Sequence, residues 1–386
     1  MTSQSTAPIH SSNISHLSRM DVGGAGQVTV AGNYAYLGYM RGPEGTSILD
    51  ISDPRNPKLM STVMLDGAGY HSHKVRVVGD IMIVNSERYG AKEAEWQDGG
   101  FKIYDIKDKS NPKLIHFQKT YGKGVHRFAA DERYAYISTE MEGFVGNILV
   151  IYDIQNPSKP VEAGRWWMPG QNVAAGETPD PKGKEHRLHH ALRQGDQLYA
   201  GCWMSGYWII DISDISRPKT LGKYDPHPEA AEPSHTFVKV PFKVKGKDIA
   251  LGVDEERSNR GGDEGRPHAP LYIVDVSDAT KPEKITAFHV PEDASPYANG
   301  GPGTRYGAHQ LREVIDDTLC YVTWFGAGLR IIDFADPSAP KDVGHFIPEP
   351  GRGYKAPLTN DVAMDDRGLI YVTDKGRGLD VIEFKR

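Results

Sequence analysis

Two apolar residues, an aspartate, a further apolar residue and a polar turn closing on proline make a phrase that this chain of 386 residues repeats. It reads ILDISDPRNPKL from Ile48, IYDIKDKSNPKL from Ile103, IYDIQNPSKPVE from Ile151, IIDISDISRPKT from Ile209, IVDVSDATKPEK from Ile273 and IIDFADPSAPKD from Ile331, with a truncated VIEFKR ending at Arg386. The β-branched run favours a strand, the aspartate and serine suit a turn, and Pro57, Pro112, Pro160, Pro218, Pro282 and Pro340 set up a further extended segment. A unit of this kind cannot bury its apolar face alone, so copies must pack against one another.

Two more strand signals precede each phrase, joined by hairpin chemistry such as Gly32-Asn33, Gly79-Asp80 and Asp366-Arg367-Gly368. Examples are VTVAGNYAYLGY from Val28, VRVVGDIMIVN from Val75, FAADERYAYIST from Phe128, ALRQGDQLYAGCW from Ala191 and VAMDDRGLIYVT from Val362. Four strands per repeat, a period of about 50 residues and no helical pattern predict an all-β fold, a seven-bladed β-propeller forming one domain over residues 1–386. The expected blades are 26–69, 70–124, 125–185, 186–233, 234–307, 308–358 and 359–386, the last completed by residues 13–24. That closure follows from ISHLSRMDV at Ile14, which matches the fourth-strand segment PKLMSTVML at Pro57 and removes an open sheet edge. On these phrases the chain resembles the LVIVD-repeat propeller family over nearly its whole length. The resemblance implies the fold and is silent on chemistry.

A net charge of −6 gives no general attraction to nucleic-acid phosphates or anionic membranes, and no apolar run reaches membrane-spanning length. Neither partner is expected. Cys202 and Cys320 are too few for a disulfide framework, and MTSQSTAPIHSSN lacks the basic and apolar regions of a secretory signal, so a cytoplasmic location is expected.

Histidines open five consecutive repeats. His73, His126 and His189 lie seven residues before Asp80, Arg133 and Asp196 of their hairpins, while His235 and His309 open repeats with longer hairpins. Gly26 and Asn360 take the corresponding places in the first and last repeats. The first strand of each propeller blade lines the central channel, so equivalent positions form a ring, and imidazoles converging there are ligands for iron first, or for Cu, Mn, Zn or Ni. His71, His186 and His190 flank the ring residues. One of them replaces a registered histidine if a hairpin is miscounted, and His190 lies on the strand face opposite His189. A lone histidine at a strand start is ordinarily a turn or core residue, and it is the repetition that points to a metal.

Loops beyond the second strands add Glu87, Arg88, Glu140, Glu255 and Trp324 as candidate catalytic groups, with Trp203 beside Trp324 as shelter. Insertions at residues 167–188, 225–234 and 290–307 are candidate lids or substrate walls. An axial multi-histidine site resembles those of the carotenoid and stilbene cleavage dioxygenases, the selenium-binding propellers and the oligogalacturonate lyases, although none of their sequence motifs runs through this chain. The expected function is a metal-dependent oxidase or oxygenase acting on a small organic molecule. The alternatives are a metal-dependent lyase or hydrolase with a His or Glu base, and a propeller that binds a protein without catalysis. An off-axis pocket facing Asn360 and Gly26 is expected from the break in the ring.

Overall fold

The computed structural model describes residues 7–65, 67, 69–89, 99–180, 185–257, 267–298 and 304–386. It is all-β and propeller-like: antiparallel four-strand meanders follow one another along the chain and curl around a common axis. In the first meander Ala25–Ala31, Tyr34–Tyr39, Glu44–Asp50 and Lys58–Met64 pair in sequence order. The repeated phrase is the third strand of each meander, as in Asn147–Asp153 and Gly328–Asp333. Its aspartate closes the strand by accepting the amide two residues on: Asp50 from Ser52, Asp153 from Gln155, Asp275 from Ser277 and Asp333 from Ala335. The side chain thereby stands in for a backbone turn partner, which is why aspartate recurs there.

Neighbouring meanders bury their apolar faces against one another. Leu37, Leu49 and Ile51 of the first meet Leu369, Tyr371 and Val381 of the last, so the two ends of the chain share one core. The N-terminal strand Ile14–Asp21 pairs antiparallel with Gly378–Phe384, from Ile14 opposite Phe384 to Asp21 opposite Gly378. A short strand absent from the sequence reading, Ile9–His10, adds to the outer edge of Lys341–Ile347. Among the described residues no helix is long and apolar enough to cross a membrane.

Neighbouring meanders are joined by hydrogen bonds that run round the axis. The Gln27 amide donates to His73 O, Asn85 Nδ2 to Val125 O, and Ser138 Oγ to Leu188 O. His189 Nδ1 then reaches His235 O, Thr236 Oγ donates to Gln310 Oε1, His309 Nδ1 reaches Asn360 O, and Asn360 Nδ2 returns to Gly26 O. The circuit ends on the meander where it began.

Closure also carries a buried ion pair. Arg19 on the N-terminal strand meets Asp380 through Nε at 2.7 Å and through a second nitrogen at 3.1 Å, and it pairs with Glu349 as well. Asp380 is 1% exposed, and besides Arg19 it meets His16 Nε2 at 2.8 Å. Removing one member of a buried pair costs about 3–5 kcal/mol. Arg19→Ala is therefore expected to lower unfolding stability by about 3 kcal/mol, read as a shift of the urea midpoint; an unchanged midpoint would show that the strand contributes no closure.

Candidate metal centre

Each meander begins with an irregularity in its inner strand. Between Val125 (opposite Thr139) and Arg127 (opposite Ser138) lies one extra residue, His126. His235 is extra between Ser234 and Thr236, His309 between Ala308 and Gln310, and Asn360 between Thr359 and Asp361. His189 and Gly26 lie in longer breaks of the same kind, and His73 falls in the gap between Tyr70–His71 and Val75–Val78. A bulged residue leaves the ladder and its side chain is re-aimed. Here the re-aimed side chains meet at the axis.

The imidazoles stand in a continuous arc. Ring centroids are 5.1 Å apart for His73 and His126, 4.9 Å for His126 and His189, 4.1 Å for His189 and His235, and 4.6 Å for His235 and His309. His71 joins the arc 4.5 Å from His73. It had stood outside the ring on sequence register, yet its place opposite Glu87 on the neighbouring strand turns it inward. Gly26 and Asn360 occupy the gap between the two ends of the arc. His186 lies off it, 3.8 Å from Asp180, and His190 is buried deeper on the axis, 3.7 Å from Glu313.

Hydrogen bonds select the tautomers. One Glu87 oxygen accepts from His71 Nε2 at 2.5 Å and from His126 Nδ1 at 2.7 Å. His189 Nδ1–H donates to His235 O at 3.0 Å and His309 Nδ1–H to Asn360 O at 2.6 Å. His126, His189 and His309 therefore each keep an Nε2 lone pair, and the Nε2 atoms of His126 and His189 are 3.0 Å apart. His235 differs: its Nδ1 donates to Thr236, while its Nε2 accepts from Arg127 at 3.1 Å. His71 Nδ1 is buried and has no hydrogen-bond partner among the described residues.

Burial pushes His73, His189, His235 and His309 well below the ordinary imidazole range. It also lowers His126, against the pull of Glu87. Burial alone would raise the Glu87 carboxyl, but the His126 and His71 imidazoles hold it well below the carboxylate range. Glu255 likewise outweighs its own burial through His309, Arg305 and Lys375 and falls to about 2. Both carboxylates are ionised. Two groups have donor atoms close enough to share an ion: His71, His73 and His126, and His189, His235 and Glu255, each within 4.8 Å.

Aromatic rings from the second-to-third strand loops back the arc. Tyr89 stacks on His71 at 4.7 Å, Trp203 lies 5.2 Å from His189, and Phe325 stacks on His309 at 4.7 Å. Trp203 holds φ at 52°, a left-handed conformation that costs a bulky residue about 1–2 kcal/mol and that accumulates at functional sites. Trp324 sits elsewhere than its sequence position suggested. It is 1% exposed, packed in the core near Phe288, and its neighbour Phe325 faces the site. The backbone turn after Trp324 decides which of the two rings points inward, and no sequence signal distinguishes them.

Of the other loop candidates, Glu87 and Glu255 reach the arc and Glu140 stops short, its carboxylate accepting from the Lys123 amide. Arg88 donates to Gly122 O. The 167–188 insertion folds back on its own meander, with Gln171 Nε2 donating to Val145 O and Asn147 O, and residues 181–184 lie outside the described residues. In the 225–234 insertion, the His227 ring contacts Ala230 O and Trp203 O, which ties the segment to the turn that holds Trp203. The 290–307 insertion brings Arg305 to Glu255 at 2.9 Å, while its residues 299–303 also lie outside the described residues. A cavity of about 360 Å³ opens at the opposite end of the inner strands, where Arg193 pairs with Asp131, Arg312 with Asp316 and Arg76 with Glu313. Its cations are matched by these carboxylates.

The fold and the arc define a propeller-like protein with a histidine-rich centre on its axis. The LVIVD repeat matches residues 22–65, 125–167, 194–226 and 318–347, so the chain carries copies of that repeat. No curated protein matches it by sequence. Among solved structures it is similar to a protein from Lactobacillus plantarum (TM-score 0.60, 13% identity, 86% of each chain covered). It is similar also to Sqt1 of Saccharomyces cerevisiae (TM-score 0.55, 10% identity, 95% of this chain and 87% of that one). A third is the computationally designed Ika8 protein (TM-score 0.50, 10% identity, 96% and 99%). At these identities the likeness concerns fold alone.

Close approach of adjacent meanders depends on small residues. A Cβ on Gly201 would come within 2.4 Å of His235 O, the acceptor that orients His189. Gly201→Ala is therefore expected to cost about 1–3 kcal/mol and to shift the His189 imidazole resonances, whereas Gly23→Ala, where an added Cβ meets nothing within 4 Å, changes neither. Chemical denaturation and NMR of ring-labelled histidines check both.

Proposed function

We propose that this chain is a metal-dependent enzyme, a seven-bladed propeller whose axial histidines hold a transition-metal ion that acts on a small organic substrate. The observation that carries the reading is the pair of Nε2 atoms of His126 and His189 at 3.0 Å, with both Nδ1 hydrogens already given to other acceptors. Two lone pairs so close repel unless a cation or a proton lies between them. Bonds of about 2.1 Å from one ion to both nitrogens subtend about 90°, an ordinary angle between neighbouring ligands.

The donor chemistry fits such an ion. Glu87 accepting from His126, and the two backbone carbonyls accepting from His189 and His309, are the outer partners that hold a ligating imidazole in one orientation. His73, and His71 through its unpartnered Nδ1, lie on one side of this pair, with His235, Glu255 and His309 on the other. His235 is the least available, because its Nε2 already accepts from Arg127.

The predominance of nitrogen donors supports iron or copper and a redox reaction, an oxidase or oxygenase, with the ion supplying the electron chemistry. The chain's own part is to orient the ligands, to cover them with Tyr89, Trp203 and Phe325, and to keep Glu87 ionised. Glu255 favours a second reading. Ionised and beside His235 and His309, it is placed as a base that takes a proton from a substrate carbon, as a metal-dependent lyase requires. Anaerobic assay separates the two, since only the redox reading loses turnover without oxygen.

Elemental analysis of the untagged protein is expected to find at least one transition-metal ion per chain, and the His126→Ala, His189→Ala double variant is expected to lose it at unchanged circular dichroism. Metal that persists in the double variant would place the ion elsewhere. A parent protein without metal, which stays inert on metal addition, would leave a propeller that binds partners without catalysis.

A further inference from the structure

Among the described residues, the histidine end of the axis gathers several cations, in a chain whose net charge is −6. Arg127, Arg187, Arg305 and Lys375 converge there with Glu87 and Glu255, while Glu140 acts on Arg187 and Asp374 on Lys375 without pairing with them. Glu87 is engaged by two imidazoles, and Glu255 by Arg305 at 2.9 Å. Among the described residues, no carboxylate lies within ion-pairing distance of Arg187 or Lys375.

Both free cations are held in place by the rings that back the histidines. The Arg187 guanidinium lies 4.4 Å from the Trp203 ring, whose other contact is His189. Lys375 Nζ lies 5.2 Å from the Phe325 ring, which stacks on His309. Cation, aromatic ring and imidazole thus form a stack at two places on the arc, with His235 between them. Arg187 and Lys375 are each only partly exposed and lose hydration that no carboxylate of the described residues replaces by direct pairing.

We infer that the mouth over the histidine arc recognises a small organic carboxylate, whose two oxygens engage the Arg187 fork while Lys375 supplies the second positive charge. A guanidinium matches a carboxylate through two parallel hydrogen bonds, and an opening lined by unpaired cations concentrates anions. Glu255, paired with Arg305 and lying beside His235 and His309, repels a second negative group and leaves the uncharged part of the substrate towards the histidines. The inference deepens the enzyme reading and takes from it the placement of the reacting group beside the arc.

Titration calorimetry on the full chain tests it, with benzoate and 4-hydroxybenzoate set against benzamide and 4-hydroxybenzamide and the metal content measured on the same preparations. The acids are expected to bind and the amides to bind at least tenfold more weakly. Arg187→Gln should weaken the acids at least tenfold with metal content and circular dichroism unchanged, and Arg187→Lys, which keeps the charge and loses the fork, should fall between. Lys375→Gln should give a smaller loss. Amides binding as well as acids, acids that fail to bind, or acid binding indifferent to Arg187→Gln would each overturn the inference. Acid binding that needs Arg187 in a chain free of metal would uphold the anion site and sink the metal reading, whereas bound metal with acid binding indifferent to Arg187 would do the reverse.

Discussion

The site depends on a local departure from regular pairing. A β-strand alternates its side chains between two faces, and an inner strand of a closed ring must use both faces to pack against its neighbours. The extra residue at His126, His235, His309 and Asn360 escapes that demand because it pairs with nothing across the strand. Freed from packing, it can face the axis, and the same device repeated around the ring brings residues far apart in sequence into contact. The ring of hydrogen bonds between meanders then helps to set the imidazoles, since carbonyls that join one meander to the next accept the Nδ1–H of His189 and His309. Fold closure and site geometry rest on the same bonds.

This arrangement places polar and charged groups where a core would ordinarily be apolar. Lys74, Arg127, His190, Gln310 and Asp361, each one residue beyond a bulged position, are buried around the axis beneath the arc. Lys74 is held by Glu313 at 2.8 Å, and Arg127 ties the layers together by reaching both Gln310 and His235. The apolar packing that stabilises the molecule lies between the meanders, as in the cluster joining the first to the last. Separating the two leaves the axis free to carry charge, because stability does not depend on filling it with aliphatic side chains.

Much of the architecture was legible in the sequence. The repeated aspartate is a turn signal with a local cause, and the apolar run before it a strand signal, so the strand pattern and the pairing of Ile14–Asp21 with Gly378–Phe384 follow from neighbours along the chain and from the need to remove an open edge. The recurrence of histidine at the start of successive repeats located the arc for a similar reason: equivalent positions in a ring of repeats must meet. His71 was harder to place, since its inward turn comes from the strand partner that sets it opposite Glu87. Phe325 in place of Trp324, and Glu140 stopping short where Glu87 and Glu255 reach the arc, depend on how each loop leaves its strand, and residue type does not encode that.

Periodicity and turn chemistry in the sequence determined an all-β chain of LVIVD repeats, its closure by the N-terminal strand and the residues that open each inner strand, because these follow from short-range preferences repeated many times. Only the tertiary structure decided which nitrogen of each arc histidine is free, that His235 is engaged by Arg127, and that no carboxylate of the described residues pairs with Arg187 or Lys375. Those properties come from contacts between meanders that lie tens of residues apart. A hydrogen bond or an unmatched charge is set by what stands opposite in space.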